Sequence, residues 1–281
     1  MSTISSSLVT TKWLAEHLDD SNLVLLDASW YMPGSERNPE QEWRNCRIRG
    51  ARFFDFDTRV KDPNADLPHM LPSPELFAQE VSKLGISNQN AIVIYDSHGL
   101  FSAPRVWWMF KAMGHNNVAV LDGGLPAWLA EQHATESGEV DKPVASQYEA
   151  SLLPQWVIDA DNLKLLLDDP DTVVFDARSA ARFYGTEPEP RAGVRGGHMP
   201  NAKSLPFSQL IKDGFFLDRE LLESRFNAVA DPEQRLIFSC GSGVTACVLA
   251  LGAELTGRKL LTVYDGSWAE WGASLKYPVC R

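Results

Sequence analysis

The sequence is short of cysteine, histidine and basic residues, and each shortage removes a class of chemistry. Its 281 residues include 4 Cys and 6 His. Cys46, Cys240, Cys247 and Cys280 form no Cys-x-x-Cys pair and have no cluster of His beside them. Neither a zinc knuckle nor a thioredoxin-like dithiol is supported. Lys and Arg number 26 against 37 Asp and Glu, a net charge of −11. Such a surface repels polyanions, which speaks against nucleic acid and against an anionic membrane as partners. No apolar run reaches the roughly 20 residues that a membrane helix needs. The stretch from Met1 to Thr11 is rich in Ser and Thr but has no basic segment followed by a long apolar one, so it does not read as a secretory signal. A reducing cytoplasm is the expected compartment, with the cysteines as thiols.

What is present can build a large core: 44% hydrophobic, 10% aromatic and 22% charged residues. The length fits one large domain or two of equal size, and internal repetition decides. Leu25-Leu26-Asp27-Ala28-Ser29 is matched by Val174-Phe175-Asp176-Ala177-Arg178, and Gly50-Ala51 by Pro200-Asn201-Ala202. Ile92-Val93-Ile94-Tyr95-Asp96 is matched by Leu236-Ile237-Phe238-Ser239-Cys240. Val120-Leu121-Asp122-Gly123-Gly124 with Trp128 is matched by Val263-Tyr264-Asp265-Gly266-Ser267 with Trp271. Four matches in one order at nearly constant spacing indicate two homologous modules, over 8–135 and 156–281. A polar connector with Gly138, Pro143 and Pro154 fills 136–155. Most of the acidic excess falls in the first half, so an anionic substrate is better sought in the second.

Short apolar runs predict buried parallel strands at Leu23–Asp27, Ala91–Tyr95, Ala119–Leu121, Val173–Asp176, Leu236–Ser239 and Leu261–Tyr264. Helices are predicted at Trp13–Leu18, Pro74–Leu84, Pro104–Met113 and Val244–Leu255. Each module therefore reads as α/β, a mainly parallel sheet flanked by helices. In such sheets chemistry sits beyond the carboxyl ends of the strands. Cys240 stands at one such tip, followed by Gly241-Ser242-Gly243-Val244-Thr245 and an apolar helix. Glycines let the loop curl so that its amides face the sulfur, and the helix adds its positive end. Both favour the thiolate, which is the nucleophile. Cys46, Cys247 and Cys280 have no such setting.

Other chemistries are weighed at the same loop. A cysteine phosphatase would place Arg sixth after the cysteine, where Ala246 stands, and a nucleotide-binding P-loop would need a Gly-Lys pair that is absent. Six scattered histidines neither show nor exclude a protease arrangement.

The Cys240–Ala246 loop, the paired modules and the terminal Asp265-Gly266-Ser267-Trp268 resemble the rhodanese superfamily, specifically its two-domain 3-mercaptopyruvate sulfurtransferases, over Leu8 to Tyr277. The resemblance implies that the second module is catalytic and the first an inactive copy, with Asp96 at the place of Cys240. It implies that Cys240 takes sulfur from 3-mercaptopyruvate as a persulfide, releases pyruvate, and passes the sulfur to cyanide, a small thiol or a thioredoxin-like protein. No metal or organic cofactor is needed, because the amides of Gly241, Ser242, Gly243, Val244 and Thr245 stabilise the charge. Thiosulfate enzymes would carry cations immediately after the cysteine. Gly241 and Ser242 supply none, so thiosulfate is expected to be a poor donor.

The same resemblance assigns the substrate carboxylate to Arg182 and Arg191, in the proline-rich stretch 181–191, since a guanidinium matches it with paired hydrogen bonds. Arg178 reads instead as a structural ion-pair residue, and His198 as part of a structural turn. For proton handling the family offers Ser242, Asp57 and His69. The last two come from the first module by sequence, which would put the site between modules. The loop after Asp96, Ser97-His98-Gly99-Leu100-Phe101, lacks the glycine pattern of its sister and is expected not to aim its amides inward.

Overall fold

The computed structural model describes residues 4–140 and 142–281. Residues 1–3 of the Ser/Thr-rich amino terminus and residue 141 of the connector lie outside the described residues. The chain divides into two compact units. The first comprises the described part of Met1–Pro63 with Leu71–Leu152 and Asp213–Phe216, and the second comprises Asn64–Met70, Leu153–Lys212 and Leu217–Arg281.

Each unit contains a five-stranded sheet, and the two orders are the same. In the first the order is Leu8–Val9, Val118–Leu121, Ala91–Tyr95, Leu23–Asp27, Arg52–Phe53; in the second it is Val157–Ile158, Leu261–Tyr264, Arg235–Ser239, Thr172–Asp176, Lys203–Ser204. Every neighbouring pair is parallel. The sheets are thus α/β and mainly parallel, as the apolar runs indicated. Strands covered on both faces read as unbroken hydrophobic stretches, and Ala91–Tyr95 is buried along its whole length. The central strands Ala91–Tyr95 and Arg235–Ser239 therefore end, at Asp96 and Cys240, in the middle of each sheet's carboxyl edge.

The helices start where their caps allow. Thr10 accepts from the Trp13 N–H ahead of Thr11–His17, and Ser73 with Pro74 starts Pro74–Lys83. The sequence places the start of the last apolar helix at Val244, but the helix runs Ala246–Leu255. Gly243 at φ 81° lies in the left-handed region and keeps the backbone out of the helix. The first turn closes only when the Cys247 and Val248 amides bond the carbonyls of Val244 and Thr245. Val244 and Thr245 thus remain in the loop. Residues Ala246 through Ala253 are all buried, so this helix needs no polar face.

Most of the connector packs on the first unit. The Ser146 amide bonds the Ser82 carbonyl, and the buried Tyr148 stacks on His115 with its edge toward Phe77 and Phe110. Residues 64–70, though they follow the first module's strands in sequence, cluster with the second unit.

Candidate active site

Within the second unit Cys240 follows strand Arg235–Ser239 and is 2% exposed. Its backbone is held on both sides. The Cys240 N–H donates to Ser267 Oγ at 3.1 Å, and the carbonyls of Cys240 and Gly241 accept from the amides of Trp268 and Ala269, each at 2.9 Å. The Ser267 hydroxyl in turn donates to the Tyr264 carbonyl at 2.9 Å. The segment Asp265-Gly266-Ser267-Trp268 thus anchors the loop of Cys240 to the neighbouring strand. In the sequence this segment stands out as an internal repeat and a family resemblance, and neither gives Ser267 a role.

Beyond Cys240 the loop is nearly closed to solvent, with Ser242, Gly243 and Val244 buried. Among the described residues, the amides of Gly241, Ser242, Val244 and Thr245 have no protein acceptor. Buried backbone donors are rarely left unpaired. A loop with several of them grouped after a cysteine is suited to hold an anion.

Two of the residues expected to handle protons differ in placement. His69, 2% exposed and at φ 51°, belongs to the second unit, where its Nε2 lies 3.3 Å from Ser242 Oγ. By chain order His69 lies in the first module, as the sequence indicated, while its packing is with the second unit. Asp57 belongs to the first unit, in a turn where its amide donates to Asp55 Oδ1 at 3.1 Å.

The arginines of stretch 181–191 behave differently from one another. Ser179 caps the short helix Ala180–Phe183, which delivers Arg182 to the loop. Arg182 Nη2 comes within 3.0 Å of where a Cβ on Gly241 would stand. The same atom pairs with Glu189 Oε2 at 2.6 Å, and Nε with Oε1 at 3.3 Å. Glu189 is shared, because its Oε1 also accepts from Arg178 Nη1 at 2.7 Å. Arg178 is buried, doubly bonded to Asp176, and lies 4.2 Å over the Trp268 ring. It is the structural ion-pair residue that its place in the turn suggested. A continuous frame therefore runs from the Cys240 carbonyl through Trp268, Arg178 and Glu189 to Arg182. Glu189 went unnoticed in the sequence, where its only signal is an acidic residue between two prolines in an arginine-bearing loop. Arg191 is half-buried and forms no ion pair among the described residues. His198 stacks on Phe183 at 4.0 Å and bonds its carbonyl, a structural contact.

The first unit overturns one expectation. Its loop after Asp96 does aim amides inward: His98 donates to Oδ1 at 2.9 Å, and Phe101, Ser102 and Ala103 donate to Oδ2, each at 2.8 Å. One glycine, Gly99 at φ 106°, together with an Asx turn from Asp96 to His98, is enough to curl this loop. The ion-pair frame, by contrast, has no copy among the described residues here. Ser29 stands where Arg178 stands in the second unit, and burial pushes the Asp27 carboxyl up to about 6.

Comparison with known proteins agrees with this architecture. The model of the rhodanese-like domain matches twice, at residues 10–131 and 159–274. A thiosulfate/3-mercaptopyruvate sulfurtransferase of Arabidopsis thaliana, named as mitochondrial, is 41% identical over 98% of this chain and 78% of its own. The human 3-mercaptopyruvate sulfurtransferase is 41% identical over 94% of this chain and 91% of its own. The crystal structure of SseA from Escherichia coli, described as a 3-mercaptopyruvate sulfotransferase with the rhodanese fold, superposes with a TM-score of 0.85. It has 36% identity over 95% of this chain and 100% of SseA. The chain belongs to the rhodanese family and consists of two rhodanese domains.

Proposed function

We propose that the protein is a 3-mercaptopyruvate sulfurtransferase whose second domain is catalytic and whose first is not. The observation that carries this reading is Cys240 at a buried strand tip, above a loop of acceptor-less amides and beside the Arg182 guanidinium. The Cys240 thiolate attacks the sulfur of 3-mercaptopyruvate and an S–S bond forms. The C–S bond breaks and its electron pair passes to the carbon as the enolate of pyruvate. The proton released from the donor's thiol goes to that carbon, with Ser242 Oγ, 3.3 Å from His69 Nε2, as its carrier. Pyruvate leaves and a cysteine persulfide anion remains, stabilised by the amides of residues 241–245. Cyanide, a small thiol or a thioredoxin-like protein then removes the outer sulfur and restores the thiolate. Asp57 is kept as a further candidate for proton handling. Between turnovers Cys240 must stay free of disulfide and oxidation, which a reducing cytoplasm favours. The mitochondrial matrix would meet the same need. No helix among the described residues is long and apolar enough to cross a membrane.

Arg182 and Arg191 bind the donor's carboxylate. A hydrogen bond to a charged group is worth about 1.5 to 3 kcal/mol, or roughly ten- to a hundredfold. Arg182→Ala and Arg191→Ala should each lower kcat/KM for 3-mercaptopyruvate by about that factor, while alkylation of Cys240 by a neutral reagent keeps its rate. Equal losses in both assays would assign the arginines to the fold or the thiolate instead. Glu189 holds one edge of Arg182 and leaves the other toward the loop. Glu189→Gln should raise KM by roughly fivefold with little change in kcat, and a change confined to kcat would count against this positioning role.

Donor choice follows from the same geometry. Thiosulfate is a compact dianion with no carboxylate arm, so it needs cations next to the sulfur. Gly241→Arg with Ser242→Lys would supply them. A side chain at 241 would also meet Arg182 Nη2, 3.0 Å from the first added carbon. The kcat/KM ratio of thiosulfate to 3-mercaptopyruvate should rise in the double variant. A ratio that holds steady would place selectivity elsewhere in the pocket.

A further inference from the structure

Asp96 occupies in the first domain the place that Cys240 has in the second, and its carboxylate has no exposed surface. Removing an ionised carboxylate from water costs several kcal/mol unless its hydrogen bonds are replaced. Here the backbone replaces them, with one amide on Oδ1 and three converging on Oδ2. Among the described residues no cation forms an ion pair with Asp96, so the loop alone answers its charge. This exceeds helix capping, in which a side chain accepts from one or two amides of the first turn. Three of the donors, His98, Phe101 and Ser102, precede the helix Ala103–Ala112 and wrap the carboxylate from the loop side.

From this geometry we infer that residues 97–103 form a binding site for a small monoanion, a carboxylate or a thiolate, and that Asp96 is its built-in ligand. Cβ, Cγ and Oδ2 of Asp96 trace the path that Cβ, Sγ and the outer sulfur follow in a cysteine persulfide. The first domain is thereby held in the counterpart of the sulfur-loaded form. The inactive domain has not lost its anion cradle; it has filled it. This inference does not depend on which donor loads Cys240.

The full-length protein provides the test through two variants. Asp96→Ala empties the cradle while leaving the loop sequence intact. Formate or acetate should then raise Tm in a saturable way, by about 3 °C at roughly ten times the half-saturating concentration. Chloride at equal ionic strength should not, and wild-type protein, whose Cys240 loop and Arg182 can also take these anions, sets the baseline that Asp96→Ala must exceed by that amount. Asp96→Cys, compared with Asp96→Ser by ultraviolet thiolate absorbance, decides the matter without ligand entry and whether or not Asp96→Ala folds. The introduced thiol should ionise at least about one pH unit below the ordinary value near 8.5. Burial without a cradle would shift it the other way. A thiol that titrates at or above the ordinary value overturns the inference, as does a folded Asp96→Ala protein that gains no more from formate or acetate than wild type does.

Discussion

Cys240→Ser protein is expected to release no pyruvate from 3-mercaptopyruvate, while Cys247→Ser keeps most of the wild-type rate. Serine retains the shape at position 240 but, at an alkoxide pKa far above neutrality, offers no nucleophile of comparable strength, and oxygen cannot carry the sulfane sulfur as a persulfide. The 2% exposure of Cys240 leaves little room for a substitute group to reach the same point. Cys247 is the second residue of the helix Ala246–Leu255, with its S–H donating to the Gly243 carbonyl at 3.2 Å. The serine hydroxyl can donate to the same carbonyl, so the cost is that of a more polar group at a buried site, a matter of about 1 kcal/mol in stability. Intact-mass measurement after exposure to donor reads the outcome directly: wild-type and Cys247→Ser protein should each gain one sulfur atom, and Cys240→Ser none. Sulfur gained by Cys240→Ser protein would move the carrier role to Cys46, Cys247 or Cys280.

The sequence makes the nucleophile visible for a physical reason: strand, cysteine, glycine-rich loop and apolar helix are contiguous, so local rules suffice. The same holds for the six central strands, whose unbroken apolar runs can only be covered on both faces. The edge strands Leu8–Val9 and Val157–Ile158 contain two residues each, too few to show any period. Other features depend on contacts through space. The association of 64–70 with the second unit cannot be read from chain order, which sets His69 within the first module. Glu189 joins Arg178 to Arg182 only once the loop 185–197 has folded back. The loop after Asp96 departs from its expected form because glycine content is not the requirement for inward amides. An anionic side chain at the head of the loop organises the same donors without a second glycine.

Arg178→Met should destabilise the catalytic domain by about 3 to 5 kcal/mol, the usual cost of removing one partner from a buried ion pair. Arg178, Asp176 and Glu189 have side chains only 1%, 2% and 4% exposed, so water cannot take over the solvation of the two carboxylates. The guanidinium also donates to the Gly197 carbonyl at 2.8 Å and covers the Trp268 ring, and neither contact survives in methionine. Arg178→Lys is the sharper comparison, because it keeps the charge but not the planar fork that reaches Asp176, Glu189 and Gly197 together. It should recover less than half of the loss. Urea unfolding, followed by hydrogen exchange at the Trp268 and Ala269 amides, separates this domain's transition from that of the first. These two amides hold the carbonyls of Cys240 and Gly241, so their exchange should accelerate in step with the lost stability. A loss below about 1 kcal/mol, or a lysine variant as stable as wild type, would mean that hydrophobic packing around Trp268 holds the nucleophile's loop and that the ion-pair frame serves only to aim Arg182.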